Sequence, residues 1–334
     1  MRIGFAYDLR KDYLERGYSE EETAEFDSEE TVQIIADTIS SLGHEVIRIG
    51  NVYELVKRIS SGERWELVFN ITEGLNGRSR EAQVPAVLEA YHIPYTFSDP
   101  LTLALCLDKF LTKTVVSRWN IPTPDFFQVS SRKGLDDVLR DNRIPFPLFL
   151  KPVSEGTGKG VTPASVIRSP EQLRKQCREL LERYGQPALV EKYLPGREFT
   201  VGIVGSGEKA KVVGVLEVEL LDSAEPLVYS YVNKEYCEQH VRYVLNEDPE
   251  IFREAAEISM RAYKALDCRD AGRVDIRADE NGKLHFLEIN PLAGLHPTHS
   301  DLPILWQKTG RPYHELIAEI LSSASSRNKS EVGR

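Results

Sequence analysis

The chain has 334 residues, 41% of them hydrophobic, and a formal net charge of −10. That length accommodates two or three domains, each with its own core, and the composition is ordinary for a globular protein. The charge argues against broad binding to nucleic acid or to an anionic membrane, while a local basic pocket stays compatible with it.

No apolar run approaches the length of a membrane span. The four cysteines, Cys106, Cys177, Cys237 and Cys268, lie far apart and form no CxxC. They make neither a zinc framework nor a disulfide scaffold, which predicts a reducing, cytoplasmic setting. The N-terminus enters a strand directly, without the apolar region of a signal peptide.

Residues 3–7 read as a buried strand, and 11–30 as an acidic, turn-prone segment. Val32, Ile35, Ile39 and Leu42 mark one face of a helix that Gly43 ends. Residues 46–49 and 65–71 read as strands, 81–90 as a helix and 93–97 as a short strand. This alternation predicts a parallel sheet covered by helices. No GxGxxG follows the first strand, so the dinucleotide fingerprint is absent. Ligands bind at the carboxyl edge of such sheets, where the loop from Glu73 to Arg80 falls.

Residues 103–119 read as one helix, which the segment IPTPDF breaks. Residues 146–152 form an apolar strand ending in a lysine, followed by a glycine-rich loop. A helix over 170–184 and a strand over 188–193 come next. Beyond Pro195-Gly196 the chain turns strand-rich, at 199–204 and 212–218. A helix over 249–266, a hairpin over 272–290 and a helix over 313–321 complete it. The tail SSASSRNKSEVGR is polar enough to predict disorder.

The hairpin reads GRVDIRADENGKLHFLEIN, with Asp279 to Gly282 as its turn. Positions two apart on a strand share a face, so Glu288 and Asn290 point together, and the neighbouring strand brings Asp275 and Arg273 beside them. Three oxygen-bearing side chains next to an arginine suit a hard cation that carries phosphates. A solvated surface hairpin is the competing reading.

Lys151 is followed by SEGTGKG. Glycine N–H groups can cradle a phosphate, with Lys151 as a point charge, although the segment lacks the GK[ST] of a Walker A loop. A flexible turn would read the same way. Glu191-Lys192-Tyr193-Leu194 leaves a strand and offers backbone groups to a planar ring, with Glu198 placed to accept from a ribose; an ordinary strand exit is the alternative. The polar, aromatic run from Tyr229 to Tyr236 is either a lid carrying Lys234 or a solvated loop. His296 and His299 sit in a proline-broken loop without a third ligand. No GxSxG elbow is present, and no Cys/His pairing stands out for nucleophilic catalysis.

In order and spacing, LDKFLTK, FLKPVSEGTGKGV, LVEKYLPGREFTV, YSYVNKEY and AGRVDIR…LHFLEINPLAG…HS resemble the ATP-grasp superfamily, and within it the D-alanine–D-alanine ligases. The resemblance covers nearly the whole chain to about Leu321 and is strongest over 103–294. It implies an α/β fold, α+β in its C-terminal half. An N-terminal parallel-sheet domain (1–100) would precede a central ATP-grasp lobe (101–195), a catalytic lobe (196–322) and a tail (323–334). Carried over by motif, Lys109 and Lys151 would hold ATP phosphates. Glu191, Lys192 and Leu194 would meet adenine, and Glu198 the ribose. Lys234 would approach the γ-phosphate from the lid, and Thr157 would stand in the phosphate loop. Asp275, Glu288 and Asn290 would bind two Mg²⁺ (or Mn²⁺) ions. Arg273 would stabilise the transferring phosphoryl group.

The implied activity is an ADP-forming carboxylate–amine ligase. ATP converts a carboxylate to an acyl phosphate, and the amine then displaces phosphate. Such a transfer needs charge neutralisation and alignment more than a protein nucleophile, and a closing lid to keep water from the acyl phosphate. Small-molecule amino acids or other carboxylates and amines would be the substrates, with cell-wall assembly as the setting and a homodimer as the family's tendency. Neither nucleic acid nor membrane is an expected partner.

Departures gather at the amino-acid pockets. Glu25, within YSEEETAEFDSEE, is the counterpart of the acidic residue that holds the first D-alanine's ammonium. Glu73 stands where the family has histidine, and Arg78 falls near the acids of a GEDG segment. Thr157 replaces a serine, and Glu235 replaces the tyrosine after the lid lysine. An extra residue precedes His299-Ser300, which makes Ser300 the counterpart of the serine that holds the second substrate's carboxylate. A ligase for another amino acid or a dipeptide stays open, and Arg78 with Arg80 favours an anionic partner. A non-catalytic ATP-binding module is disfavoured by the retained Arg273, Asp275, Glu288 and Asn290.

Overall fold

Three sheets organise the chain in a computed structural model that describes residues 1–131 and 135–332. The first is parallel: β1 (Arg2–Ala6) lies between β2 (Glu45–Gly50) and β3 (Leu67–Asn70). β3 is buried throughout and β1 nearly so, as expected for a parallel sheet with both faces covered. The expected fourth strand shrinks to a single parallel bridge between Val68 and Tyr95. The helix Glu29–Ser41 starts at Ser28, whose hydroxyl accepts from Thr31 N–H, and it buries Val32, Ile35, Ala36 and Ile39.

The second sheet is antiparallel, in the order β4 (Phe126–Val129), β7 (Ala188–Lys192), β5 (Leu148–Pro152), β6 (Val166–Ile167). The helix Pro170–Tyr184 packs on it, within the bounds read from the sequence. The third sheet is also antiparallel and comprises β8 (Glu198–Val204), β9 (Lys211–Leu220), β10 (Val241–Leu245), β11 (Ala271–Ala278) and β12 (Leu284–Asn290), in the order β10-β9-β8-β11-β12. The sequence reading missed β10. Its alternation is short and follows directly on the polar run that was read as a lid.

Two expectations are corrected. Residues 103–119 are not one helix but Pro100–Leu107 and Lys109–Arg118, interrupted at Asp108. Asp108 is extended, and its Oδ1 accepts from Leu111 N at 2.9 Å, so it caps the second helix and starts it at Lys109.

The C-terminal segment is likewise not a loose tail, because the last helix runs from Tyr313 to Val332. Its buried Leu316, Ile317, Ile320 and Ala324 continue one apolar stripe. Ser323 Oγ donates to Asp270 Oδ1 at 2.8 Å, and Arg327 Nη2 lies 2.9 Å from Asp270 Oδ2. Residues 333–334 of the expected tail lie outside the described residues. This helix shares one core with Ile3, Phe5, Ile35 and Phe69 of the first sheet layer and with Trp306 from the helix Asp301–Lys308.

Candidate active site

A cavity is lined from both antiparallel sheets: by Phe149 and Lys151 of β5, Glu191 and Lys192 of β7, Tyr193, Leu194, Glu198 of β8, Asp275 and Arg277 of β11, and Glu288 of β12. Lys109, Gly158, Lys159, Tyr229 and Lys234 also line it. The structure thus gathers every residue expected around ATP. Apolar Phe149, Tyr193 and Leu194 at one part of the wall suit a planar base, and the lysines suit phosphates.

The lysines are held by buried carboxylates. Lys151 Nζ lies 3.0 Å from Glu191 and 3.8 Å from Glu288, and Lys109 Nζ lies 3.6 Å from Glu288. Burial alone would depress Lys151, but Glu191 and Glu288 outweigh it and raise its pKa, so it stays charged. Glu191 was expected at adenine. It lines the cavity, and its carboxylate is bound by Lys151 and by Lys113, 2.8 Å away. Lys113, in the motif LDKFLTK, was overlooked because a lysine on a helix reads as solvated from sequence alone. Glu198 is likewise paired, with Arg277 at 3.0 Å.

Register explains the other cluster. Asp275 pairs with Glu288, and Arg273 with Asn290, across β11 and β12. Burial pushes Asp275 up to about 6, against the pull of Arg273 and Lys234. Glu288 is held well below the usual carboxylate range: burial opposes this, but Lys109, Lys151, Lys234 and Arg273 prevail. Arg273 pairs closely with Asp301, a partner the sequence reading did not single out.

The donor set fits a hard divalent cation, with two carboxylates and a carboxamide close together on neighbouring strands. Asn290 Nδ2 is buried without a partner, and the oxygen of the same amide is the atom that would face a cation. No cluster of three or more His, Cys, Asp or Glu that could hold a metal occurs among the described residues, so the fit depends on Asn290 as third ligand. His296 and His299 meet edge to face at 6.1 Å.

A second cavity adjoins the first, and Lys109 and Glu288 line both. The second is bounded by Glu25, Glu73, Glu81, Thr157, Arg273, Asn290 and Gly294. Thr157 Oγ1 is buried in it without a partner. Ser300 is not part of this lining. It packs on Gly294, and its Oγ accepts from His296 N at 3.1 Å. Arg78 is not part of it either, because Asp108 Oδ2 holds it at 2.6 Å. Arg80 is spent on Glu25, 2.9 Å away. Both arginines of the substrate-side loop are therefore neutralised within the chain, which removes the observation that favoured an anionic partner.

The lid carries the short helix Tyr231–Glu235, capped by Ser230. Lys234 Nζ sits 4.7 Å from the Tyr229 ring centroid and faces the first cavity. Gly158 (φ 73°) meets this helix so closely that a Cβ would lie 2.8 Å from Tyr231 N. Glu235 reaches across to Arg10 at 3.2 Å.

Two antiparallel sheets enclosing a lysine-lined cavity, with a carboxylate-bearing hairpin and a lid, define an ATP-grasp ligase. The family described as D-ala D-ala ligase C-terminus matches residues 115–322. The D-alanine–D-alanine ligase of Aquifex aeolicus is 31% identical over 292 residues, 87% of this chain and 94% of that one. That of Thermotoga maritima is 31% identical over 319 residues, 95% and 97% of the two chains. The crystal structure of the Bacillus anthracis D-alanine–D-alanine ligase complexed with ATP superposes with a TM-score of 0.75, at 22% identity and 99% coverage of both chains. The chain belongs to the D-alanine–D-alanine ligase family. It is an ADP-forming, ATP-dependent ligase that forms a carbon–nitrogen bond of the peptide type, rather than a non-catalytic nucleotide-binding module. Among the described residues no helix is long and apolar enough to cross a membrane.

Proposed function

We propose that the protein joins two molecules of D-alanine, activating the first as an acyl phosphate. The observation that carries this reading is the junction of the two cavities at Lys109 and Glu288. A carboxylate in the second cavity, beside Arg273, lies next to the γ-phosphate of a nucleotide in the first. Lys109, Lys151 and Lys234 neutralise the phosphates, and Arg273 stabilises the charge that develops during transfer. Asp275, Glu288 and Asn290 would hold two Mg²⁺ ions, which supply further neutralisation when bound. Glu191, Lys192 and Leu194 border the base, Glu198 the ribose, and Thr157 the acyl donor. Ser300, through Gly294, borders the second substrate. The relatives' names support D-alanine as the substrate.

A second reading, the same chemistry on another amino acid, is favoured by Glu235. An ion pair between Glu235 and Arg10 thus stands at the lid seam, in place of the tyrosine usual after the lid lysine. Phosphate release from ATP, measured with pairs of D- and L-amino acids, separates the two. D-alanine alone is expected to support turnover, and selective turnover of another pair would remove it.

A further inference from the structure

The charges around the second cavity do not balance. Glu25, the expected ammonium ligand, is already engaged: Arg80 Nη2 lies 3.0 and 2.9 Å from its two oxygens, and Lys159 Nζ lies 2.8 Å away. These two cations hold its pKa down to about 2 against the cost of burial. The pairing serves the fold. Arg80 Nη1 also donates to Ser154 O at 2.8 Å, and a Cβ on Gly156 would lie 2.1 Å from Glu25 Oε1. Glu25 therefore clips the N-terminal domain onto the phosphate loop. Glu288 is matched by Lys109 and Lys151, and Arg273 by Asp275 and Asp301.

Two carboxylates are left. Glu73 and Glu81 line the cavity, and neither side chain makes a hydrogen bond or ion pair among the described residues. Glu81 is only 8% exposed. A carboxylate buried to this extent is costly unless a partner arrives. Burial, and then repulsion from Glu81 and Glu25, push Glu73 well above its ordinary value against the pull of Arg80. Glu81 is raised to about 7, chiefly by burial, with Arg80 opposing and Glu25 adding to it. A cation placed between them would relieve both effects.

We propose that Glu73 and Glu81, not Glu25, receive the ammonium group of the acyl-donor amino acid and so select an α-amino acid over a simple carboxylic acid. This rests on the reading of the second cavity as the acyl-donor site. An ammonium at the two glutamates would supply the counter-charge they lack, with the donor's carboxylate directed towards Arg273 and the junction of the two cavities. Glu81 comes from the turn Arg80–Ala82, and Glu73 from the loop after β3. The carboxyl edge of the first sheet thus sets the donor's chemistry.

The test supplies the full-length protein with ATP, Mg²⁺ and hydroxylamine as acceptor, so that only the acyl donor varies. Hydroxamate and ADP are read with D-alanine and with propionate, which lacks the ammonium. The wild type is expected to favour D-alanine by about 100-fold in kcat/KM, the worth of one or two charge-assisted hydrogen bonds. Glu73→Gln and Glu81→Gln should each narrow the preference, and the pair together should bring it within about 10-fold, with the KM for ATP unchanged. Glu25→Gln should slow both donors alike. The proposal is overturned if both single variants keep the full preference, or if Glu25→Gln erases it. Should D-alanine give no hydroxamate, the reading of the substrate fails on its own. The comparison then uses the best donor from an amino-acid panel and its des-amino counterpart, and a preferred donor without an ammonium group overturns the inference too.

Discussion

Lys113 Nζ lies 2.8 Å from Glu191 at side-chain exposures of 0% and 2%, so two opposite charges face each other away from water beside the first cavity. Burial pushes Lys113 down to about 8, and Glu191 only partly restores it. Lys113→Met leaves Glu191 with Lys151 alone. It should destabilise the protein by roughly 2–4 kcal/mol, as expected when one member of a buried charge group is lost. The KM for ATP should rise as well, because Lys151 becomes the sole counter-charge. Urea denaturation and ATP titration check both effects; unchanged values for both would show that Lys113 is a bystander.

Gly158→Ala tests the seam between phosphate loop and lid. The new Cβ would clash with Tyr231 N, and φ is 73°. A left-handed alanine costs about 1–2 kcal/mol before any clash. Poorer closure should lower kcat and raise the share of ATP hydrolysed without product. The ratio of ADP to dipeptide measures this, and a ratio equal to that of the wild type would show that the seam does not gate water.

Asp275→Asn tests the hairpin as a metal site. Asp275 also accepts from Thr200 Oγ1 at 2.9 Å, a bond the amide can keep, so the fold should survive. The Mg²⁺ or Mn²⁺ concentration for half-maximal rate should rise by at least about 10- to 100-fold, since even outer-shell changes have effects of this size. A loss of rate without any change in metal dependence would count against this site. Chelation of divalent ions should abolish turnover of the wild type.

Asp270→Ala should remove about 3–5 kcal/mol, because it strands a buried charge. Asp270 is fully buried and accepts from Phe97 N, Ser206 Oγ, Ser323 Oγ and Arg327 Nη2. The midpoint of thermal unfolding should fall accordingly, and a second variant, Ser323→Ala, should cost far less. Equal losses in the two would mean that the arginine pairing contributes nothing.

Asp27 gives a pH signature. Burial, and then Asp8, raise it from 3.8 to about 7. An acid raised on folding binds its proton more tightly in the native state. Its contribution is therefore complete below the unfolded pKa and is lost as pH rises through the folded one. Asp27→Asn should stabilise the protein by about 1–3 kcal/mol at about pH 8, with the gain shrinking towards about pH 4. Denaturation at several pH values decides it, and a gain independent of pH would contradict the assignment.

Local signals were legible. The helix Pro170–Tyr184 announces itself by Ser169, Pro170 and Gly185 at its ends. The hairpin itself follows from alternation and an Asn-Gly turn, whereas the pairing of Asp275 with Glu288 depends on a register shift between Asp275 and Ile276 that alternation does not show. What escaped depends on partners distant in sequence. Asp108 interrupts a run that looks helical throughout, because its carboxylate caps Leu111 and holds Arg78. The last helix outlasts its apolar sequence because Asp270 waits for Ser323 and Arg327. Glu25 looked free, since nothing near it in sequence reveals Arg80 or Lys159. Glu81 and Asp301 each stood in a polar segment whose burial only the packed chain shows.

The shared core has a consequence for how this protein folds. Ile3, Phe5 and Phe69 belong to the same buried cluster as Leu316, Ile317, Ile320 and Ala324, which lie far away in sequence. The first sheet layer is therefore sealed only when a long-range contact forms, and such contacts are slow to close. A partly folded molecule with both later sheets present and this helix undocked would show an open, adhesive apolar layer. The helix that carries Leu316 thus acts as a late latch on the first sheet.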